Sequence, residues 1–175
     1  MKNLYKVLVS TLFITTFGFG QTNVSGIISS NTTWAALSSP YIVTGSVLVN
    51  EGVTLTIQAG VEVKFDAGTG IVVSGTLIAQ GTNSDQITFT SNESSPSAGD
   101  WSNLSFTNTS GDAVFNNDGA YSSGSILEYC NVEYGSGIYL NLGNPFINHC
   151  TIRYSNDVGI EIDSYNSSNS SATVK

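Results

Sequence analysis

The sequence predicts an all-β solenoid, a parallel β-helix whose coils stack along one axis. Three observations lead to this fold class. Between residues 41 and 91, short segments with apolar residues at every second position alternate with glycine corners. Only 10% of the residues are charged, against about 25% in ordinary globular proteins, while 40% are hydrophobic. Finally, the stretch 126–134 recurs at 146–154 without a gap.

The first 20 residues are typical of a secretory signal peptide. Lys2 and Lys6 give a positive start, an apolar run covers residues 7–19, and cleavage is expected between Gly20 and Gln21. A membrane anchor is the less favoured alternative, because the run is shorter than the ~20 residues of a membrane span. We therefore expect a protein that is secreted or held at the cell surface, with no membrane span after signal removal.

The remaining chain divides into a cap and coils. Residues 21–40 are interpreted as an N-terminal cap, because Trp34–Leu37 is suited to a short amphipathic segment before the regular strand pattern begins. Residues 41–175 are predicted to form the coils, with glycines such as Gly52 at the corners where tight turns need unusual backbone angles. The polar end of the chain carries no capping segment, so we expect the solenoid to be incomplete there and to belong to a longer protein.

The repeat decides between an antiparallel sandwich and a solenoid. A register of 20 residues aligns Cys130 with Cys150 and continues to residue 154; after a two-residue insertion, a register of 22 aligns Ile138 with Ile160. A sandwich gives no reason for two consecutive strands and their turns to recur in this way. A solenoid does, because each coil adds one strand to each of two or three stacked sheets.

The quoted segments also resemble a known family. The stretch "NPFINHCTIRYSNDVGIEI" resembles the coil repeat of right-handed parallel β-helix proteins, the pectate-lyase-like superfamily. The run "GSVLVNEGVTLTIQAGVEVKF" and the later "GDWSNLSF" resemble N-terminal coils of large exported bacterial β-helix proteins. The resemblance spans about residues 41–163 and implies a right-handed parallel β-helix. Because this superfamily includes lyases, hydrolases, epimerases and adhesins, the resemblance implies no particular activity.

Charge excludes one class of partner. The whole chain has a formal net charge of −8, and removal of the two leader lysines leaves three basic residues against 13 acidic ones. Such a chain repels phosphate backbones, so we expect no nucleic-acid partner.

The two cysteines and the single histidine do not suffice for a zinc site. Cys130 and Cys150 are predicted to lie in one interior ladder, as free thiols or as a disulfide. Free thiols are favoured, because parallel Cβ vectors on neighbouring coils stay farther apart than the ~3.8 Å that a disulfide prefers. His149 aligns with Tyr129 at a corner and is interpreted as structural, since no partner for a catalytic base can be placed.

Two further alignments predict surface contacts. Arg153, the only arginine, aligns with Glu133, and both are expected to point outward and to form an ion pair across neighbouring strands. An arginine near calcium-binding aspartates, as in some polysaccharide lyases of the resembled superfamily, is the less favoured interpretation. Tyr134 aligns with Tyr154, which predicts stacked rings, with a sugar-binding platform as the less favoured alternative.

The candidate binding residues are Tyr139, Asn141, Glu161 and Asp163. Glu161 and Asp163 alternate with inward isoleucines, so both carboxylates face out of one strand about 6.7 Å apart, with Tyr139 and Asn141 on the neighbouring coil. Such a group could bind calcium or a sugar. The distance between the two carboxylates also overlaps the ~6.5–9.5 Å that separates the catalytic carboxyl groups of inverting glycosidases. An ordinary solvated strand is the favoured interpretation, and no catalytic residue or obligatory cofactor is assigned.

Three functions are consistent with the sequence. The first is a non-catalytic exported scaffold or adhesin-like module that binds an extracellular polysaccharide or a cell-surface partner. The second is a polysaccharide lyase or glycoside hydrolase whose catalytic coils lie partly outside this chain, which would require several convergent acids with a basic residue. The third is ice binding, which needs outward threonine rows; Thr54 and Thr56 face outward, but no rows that recur at the coil period are expected.

Overall fold

The computed structural model describes residues 20–163. Within that range the chain contains 17 strands and one short 3-10 helix, Ala36–Ser38. The strands are β1 (Thr22–Ile28), β2 (Thr32–Trp34), β3 (Tyr41–Val49), β4 (Thr54–Ile57), β5 (Glu62–Phe65), β6 (Ile71–Val73), β7 (Thr76–Gln80), β8 (Ile87–Ser91), β9 (Leu104–Phe106), β10 (Val114–Phe115), β11 (Tyr121–Ser123), β12 (Ile126–Glu128), β13 (Cys130–Glu133), β14 (Ile138–Asn141), β15 (Phe146–Asn148), β16 (Thr151–Arg153) and β17 (Ile160–Asp163).

The strands form three faces that share one interior. Face A consists of the first half of β1 and of β3, followed by β5, β8, β13 and β16; face B consists of the second halves of β1 and β3, followed by β6, β9, β14 and β17. Face C consists of β2, β4, β7, β12 and β15. All neighbours within a face pair in parallel. The predicted parallel β-helix is therefore confirmed, with about six coils and with three faces rather than two.

The predicted registers are those of the structure. Ile126 pairs with Phe146 and Glu133 with Arg153, which is the 20-residue register. Ile138 pairs with Ile160 in β14 and β17, which is the 22-residue register after the insertion. Because neighbouring parallel strands lie about 4.8 Å apart, the sequence alignment of the two repeats is also a map of spatial neighbours.

The core fills the space enclosed by the three faces. Alternate residues of every coil point inward, and the largest fully buried side chain is Trp101. Its indole stacks on Phe65, with ring centroids 4.1 Å apart and planes 9° from parallel, and its Nε1 donates a hydrogen bond to the Glu133 carbonyl at 2.9 Å. Ile162, expected to point inward, aligns with buried Leu140 yet is 51% exposed, because no strand among the described residues pairs with the far side of β17.

The segment expected as a cap already has the pairing of a coil. Strand β1 pairs in parallel with β3 along both of its halves, and β2 pairs with β4 on face C. Trp34, expected in an amphipathic segment, is the last residue of β2 and stacks on Tyr41 with centroids 4.9 Å apart. Only Ala36–Ser38 is helical, as a single 3-10 turn that buries no residue.

The fourth coil carries a long insertion that the sequence did not indicate. Strands β10 and β11 form an antiparallel hairpin, placed between β9 of face B and β12 of face C. Phe115 meets Phe146 edge-on at 5.1 Å, and Tyr121 stacks on Phe146 at 6.1 Å. The hairpin thereby buries Phe146, which lies in the outward row of face C.

Corners are built in two ways. Glycines with positive φ occupy several of them, Gly52 with φ 73° among these, as the sequence predicted. In the later coils, however, non-glycine residues take the left-handed conformation, which is uncommon for side chains of this size. They are Tyr129, Tyr134, Leu142, His149 and Tyr154.

Two threonine pairs occur on face C, but no threonine row extends over three of the described coils. Thr33 pairs with Thr56 and Thr54 with Thr76, so two outward threonine pairs lie side by side on face C. The array ends there, because Ile78 follows Thr56 in its row. The insertion also covers Thr76, since a Cβ on Gly111 would lie only 2.6 Å from its Oγ1.

Candidate functional site

The four predicted binding residues lie together on face B. Strands β14 and β17 pair in parallel, so Tyr139 is the direct neighbour of Glu161 and Asn141 that of Asp163. Their outward direction follows from alternation, because Ile138 and Leu140 of the same strand are buried. The Tyr139 row continues to Ser105 of β9 and Val72 of β6, so the site is one end of a long outward row.

A hydrogen bond joins the two strands at this site. The Tyr139 hydroxyl donates to Asp163 Oδ2 at 3.0 Å. This bond raises the pKa of Tyr139 above its ordinary value, and burial and the negative charges of Asp163 and Glu161 act in the same direction. Glu161 and Asn141 are exposed, whereas Tyr139 and Asp163 are half-buried. The site therefore presents two carboxylates, one amide and the edge of one phenol.

This arrangement is equipped to accept hydrogen bonds. Two carboxylates and an amide oxygen take bonds from hydroxyl groups, and the amide nitrogen of Asn141 donates. Among residues 20–163, no group of three or more histidine, cysteine, aspartate or glutamate side chains is placed to hold a metal ion.

Arg153 lies on face A, away from these carboxylates. Its Nε donates to Glu133 Oε2 at 2.7 Å, which confirms the predicted ion pair and raises the pKa of Arg153. The Thr90 hydroxyl donates to the other oxygen of Glu133 at 3.2 Å. Arg153 also lies over the Tyr154 ring, 5.3 Å from its centroid. The interpretation of Arg153 as a partner of the acidic pair is thus unsupported.

The aromatic corners form two ladders. Tyr134 stacks on Tyr154 with centroids 4.9 Å apart, as predicted, and His149 stacks on Tyr129 at 4.7 Å. In each ladder the two rings come from neighbouring coils, and each ring covers one face of the other. This geometry supports the structural interpretation of the ladders over a sugar-binding platform, since a platform needs an open ring face.

Both cysteines are free thiols in the interior ladder. The Cys130 thiol contacts the Ala79 carbonyl at 3.4 Å, and the Cys150 thiol contacts the Leu127 carbonyl at the same distance. Cys130 is buried and Cys150 is partly exposed. The neighbouring Cys150 thiol raises the pKa of Cys130, as does burial, whereas the Cys130 thiol lowers the pKa of Cys150.

A polar ladder on face C was missed in the sequence. Glu128 accepts hydrogen bonds from the Gln80 amide at 3.3 Å and from the Asn148 amide at 2.9 Å. The 20-residue register does align Glu128 with Asn148, so the contact between these two residues could have been predicted from the sequence. Gln80 was not, because the long insertion separates it from Glu128 by 48 residues.

The fold and the outward polar rows define a parallel β-helix with extended, accessible faces. A family model for the pectate-lyase-like beta helix domain matches residues 26–172, and the chain belongs to that family. The match begins inside β1, in agreement with the parallel pairing of that strand. No curated protein and no solved structure matches the chain. Across residues 20–163, no helix has the length and apolar character needed to cross a membrane.

Proposed function

We propose that this chain is an exported, non-catalytic β-helix module, a scaffold or adhesin, that binds a polysaccharide at face B through Tyr139, Asn141, Glu161 and Asp163. The observation that carries the proposal is the pairing of β14 with β17, which gathers these four polar side chains on one outward surface. The leader at residues 1–20 and the β-helix architecture support export and an extended binding surface.

The charge of the described residues at this site favours an uncharged glycan as the ligand. Lys64 and Arg153 are the basic residues between positions 20 and 163, and each is paired with a carboxylate, at 3.5 Å and 2.7 Å respectively. A polyuronate chain would bring its own carboxylates close to those of Glu161 and Asp163, and like charges repel. The hydroxyl groups of a neutral sugar, by contrast, donate hydrogen bonds that these carboxylates accept.

The test compares matched variants of the exported full-length protein on an array of neutral and acidic glycans. Replacement of a carboxylate that accepts hydrogen bonds costs about 1.5–3 kcal/mol, so Glu161→Gln or Asp163→Asn should weaken binding at least about tenfold. Glu51→Gln is the control, because Glu51 is an exposed acid in the turn between β3 and β4. Equal binding by the site variants and the wild type would refute this assignment.

The same protein is incubated with acidic and neutral polysaccharides, with calcium and with a chelator. Release of soluble fragments would favour the alternative function, a lyase or hydrolase whose catalytic coils lie partly outside this chain. Retention on a glycan without cleavage supports the binding module. If retention depends on calcium and is abolished by Asp163→Asn, calcium is part of the binding site.

A further inference from the structure

We propose that Cys130 and Cys150 form a reversible redox pair, which closes to a disulfide in an oxidising compartment and fastens the coil of β16 and β17 to the coil before it. The inference rests on the proposed export of the chain only because export would bring the thiols into an oxidising compartment. It concerns the interior ladder, which the proposed glycan site does not use.

The geometry places the two cysteines side by side on neighbouring coils. Asn131 pairs with Thr151 in the parallel ladder, so the preceding residues, Cys130 and Cys150, are neighbours on successive coils about 4.8 Å apart. That spacing falls within the ~4.4–6.8 Å between Cα atoms seen for disulfides. Both sulfurs turn toward the interior, where Cys150 reaches the Leu127 carbonyl of the earlier coil at 3.4 Å. Closure therefore needs side-chain rotation and a small shift of the outer coil.

The two thiols have different roles in this reaction. Cys150 is partly exposed, because the inward residues of its coil are less buried than those of the coil that contains Cys130. Cys130 itself is 1% exposed. The thiol of Cys130 and nearby backbone groups stabilise the Cys150 thiolate and lower its pKa, although burial and the carboxylate of Glu128 oppose this. Because the accessible thiolate is the attacking form, Cys150 reacts first and Cys130 resolves the intermediate.

The oxidant is a small-molecule disulfide, for which glutathione disulfide is the probe. The Cys150 thiolate attacks one sulfur of the probe, the probe S–S bond breaks, and one glutathione leaves as a thiolate. Cys130 then gives its proton to that thiolate and attacks Cys150 Sγ, which displaces the second glutathione. Two protein thiols lose two electrons and two protons in total, and one glutathione disulfide becomes two glutathione molecules.

We expect the Cys130–Cys150 disulfide to be easily reduced again after it has formed. Cβ vectors of neighbouring parallel strands run side by side, so the Cβ atoms stay near the strand spacing instead of approaching to ~3.8 Å, and the closed bond is strained. Strained disulfides have more oxidising potentials and are the labile ones. Closure would also limit the opening of a coil whose inward Ile162 is 51% exposed.

The first experiment follows the thiols by intact-mass spectrometry. Wild-type protein with glutathione disulfide should lose two hydrogen atoms without retaining glutathione, and dithiothreitol should restore both thiols. Cys130→Ser should instead retain one glutathione on Cys150, while Cys150→Ser should stay unmodified. No reaction of the wild type, or a wild type that only accumulates the mixed disulfide, would overturn the proposal. The wild-type result stands even if a serine variant fails to fold.

The second experiment measures fastening of the outer coil. Arg153 is the only arginine in the sequence, and trypsin cleavage after it releases the segment that begins at Tyr154. A disulfide that closes a loop of this size disfavours the opened state, so oxidation should slow this release at least about tenfold. Cleavage at the distant Lys64 serves as the internal control and should not change. Equal release at Arg153 in both redox states would refute the fastening role.

Discussion

The contact between Gly135 and Trp101 gives the most direct test of how the fourth and fifth coils stack. Trp101 forms an isolated parallel bridge with Gly135, and a Cβ added to Gly135 would lie 2.4 Å from Trp101 Cε2 and 2.7 Å from Cδ2. The indole is held in place, because Phe65 stacks on it and its Nε1 donates a hydrogen bond to the Glu133 carbonyl. Gly135 does not have positive φ, so Gly135→Ala tests packing without added backbone strain.

The magnitude follows from the distance that must open. Carbon atoms in normal contact are about 3.5–4.0 Å apart, so the two groups must separate by roughly 1 Å. Overpacking of a well-packed core costs about 1–3 kcal/mol. For a chain of this length, that lowers the melting temperature by roughly 2–12 °C, which thermal unfolding followed by near-ultraviolet circular dichroism will detect.

The control for this prediction is Gly45→Ala. Gly45 also lacks positive φ, and its added Cβ would meet only the exposed Ser25 side chain, at 3.3 Å. We expect a change within about 0.5 kcal/mol. If Gly135→Ala melts at the same temperature as Gly45→Ala, Trp101 is not held against Gly135, and the described stacking of these coils is wrong.

Three other predictions concern the surface. In a double-mutant cycle of Tyr134→Ala and Tyr154→Ala, urea unfolding should give a coupling of about 0.5–1.5 kcal/mol from the stacked rings, and additive effects would contradict the ladder. Arg153→Met should change the free energy of unfolding by no more than about 1 kcal/mol, because the arginine is 52% exposed, and a larger loss would show that its pair with Glu133 is more than a surface contact. Asp100 accepts hydrogen bonds from a backbone amide and a serine hydroxyl, which lower its pKa, so its stabilising effect is present above the ordinary aspartate pKa and is lost as pH falls through the lowered value. The stability difference between wild type and Asp100→Asn should therefore shrink in acid, and a difference independent of pH would contradict this origin.

Residue neighbours across coils were the most predictable feature. The Glu133–Arg153 pair, the Tyr134–Tyr154 stack and the grouping of Tyr139 with Glu161 were all obtained by aligning two repeats. The reason is physical: in a parallel ladder, residues one coil apart lie directly beside each other, so a sequence offset becomes a contact.

Features without a fixed offset were not predictable. The two threonine pairs were not predicted, because their offsets of 23 and 22 residues differ from the 20-residue register at 126–154. The β10–β11 hairpin is a single insertion with no counterpart in another described coil, so the repeat pattern could not predict it. Its position over Phe146 depends on how three aromatic rings pack, which local patterns do not encode.

By itself, the sequence determined the class of fold, the order of the coils and the partners of the last two repeats, because alternation and repeat period translate directly into pleat and stacking. The tertiary structure alone decided that there are three faces, that residues 22–34 add parallel strands, and that Arg153 lies on a different face from Glu161 and Asp163. These outcomes depend on the angles at the corners between strands. Left-handed residues such as Tyr129 and Tyr134 set those angles, and the packed interior rather than their own preference holds them in that conformation.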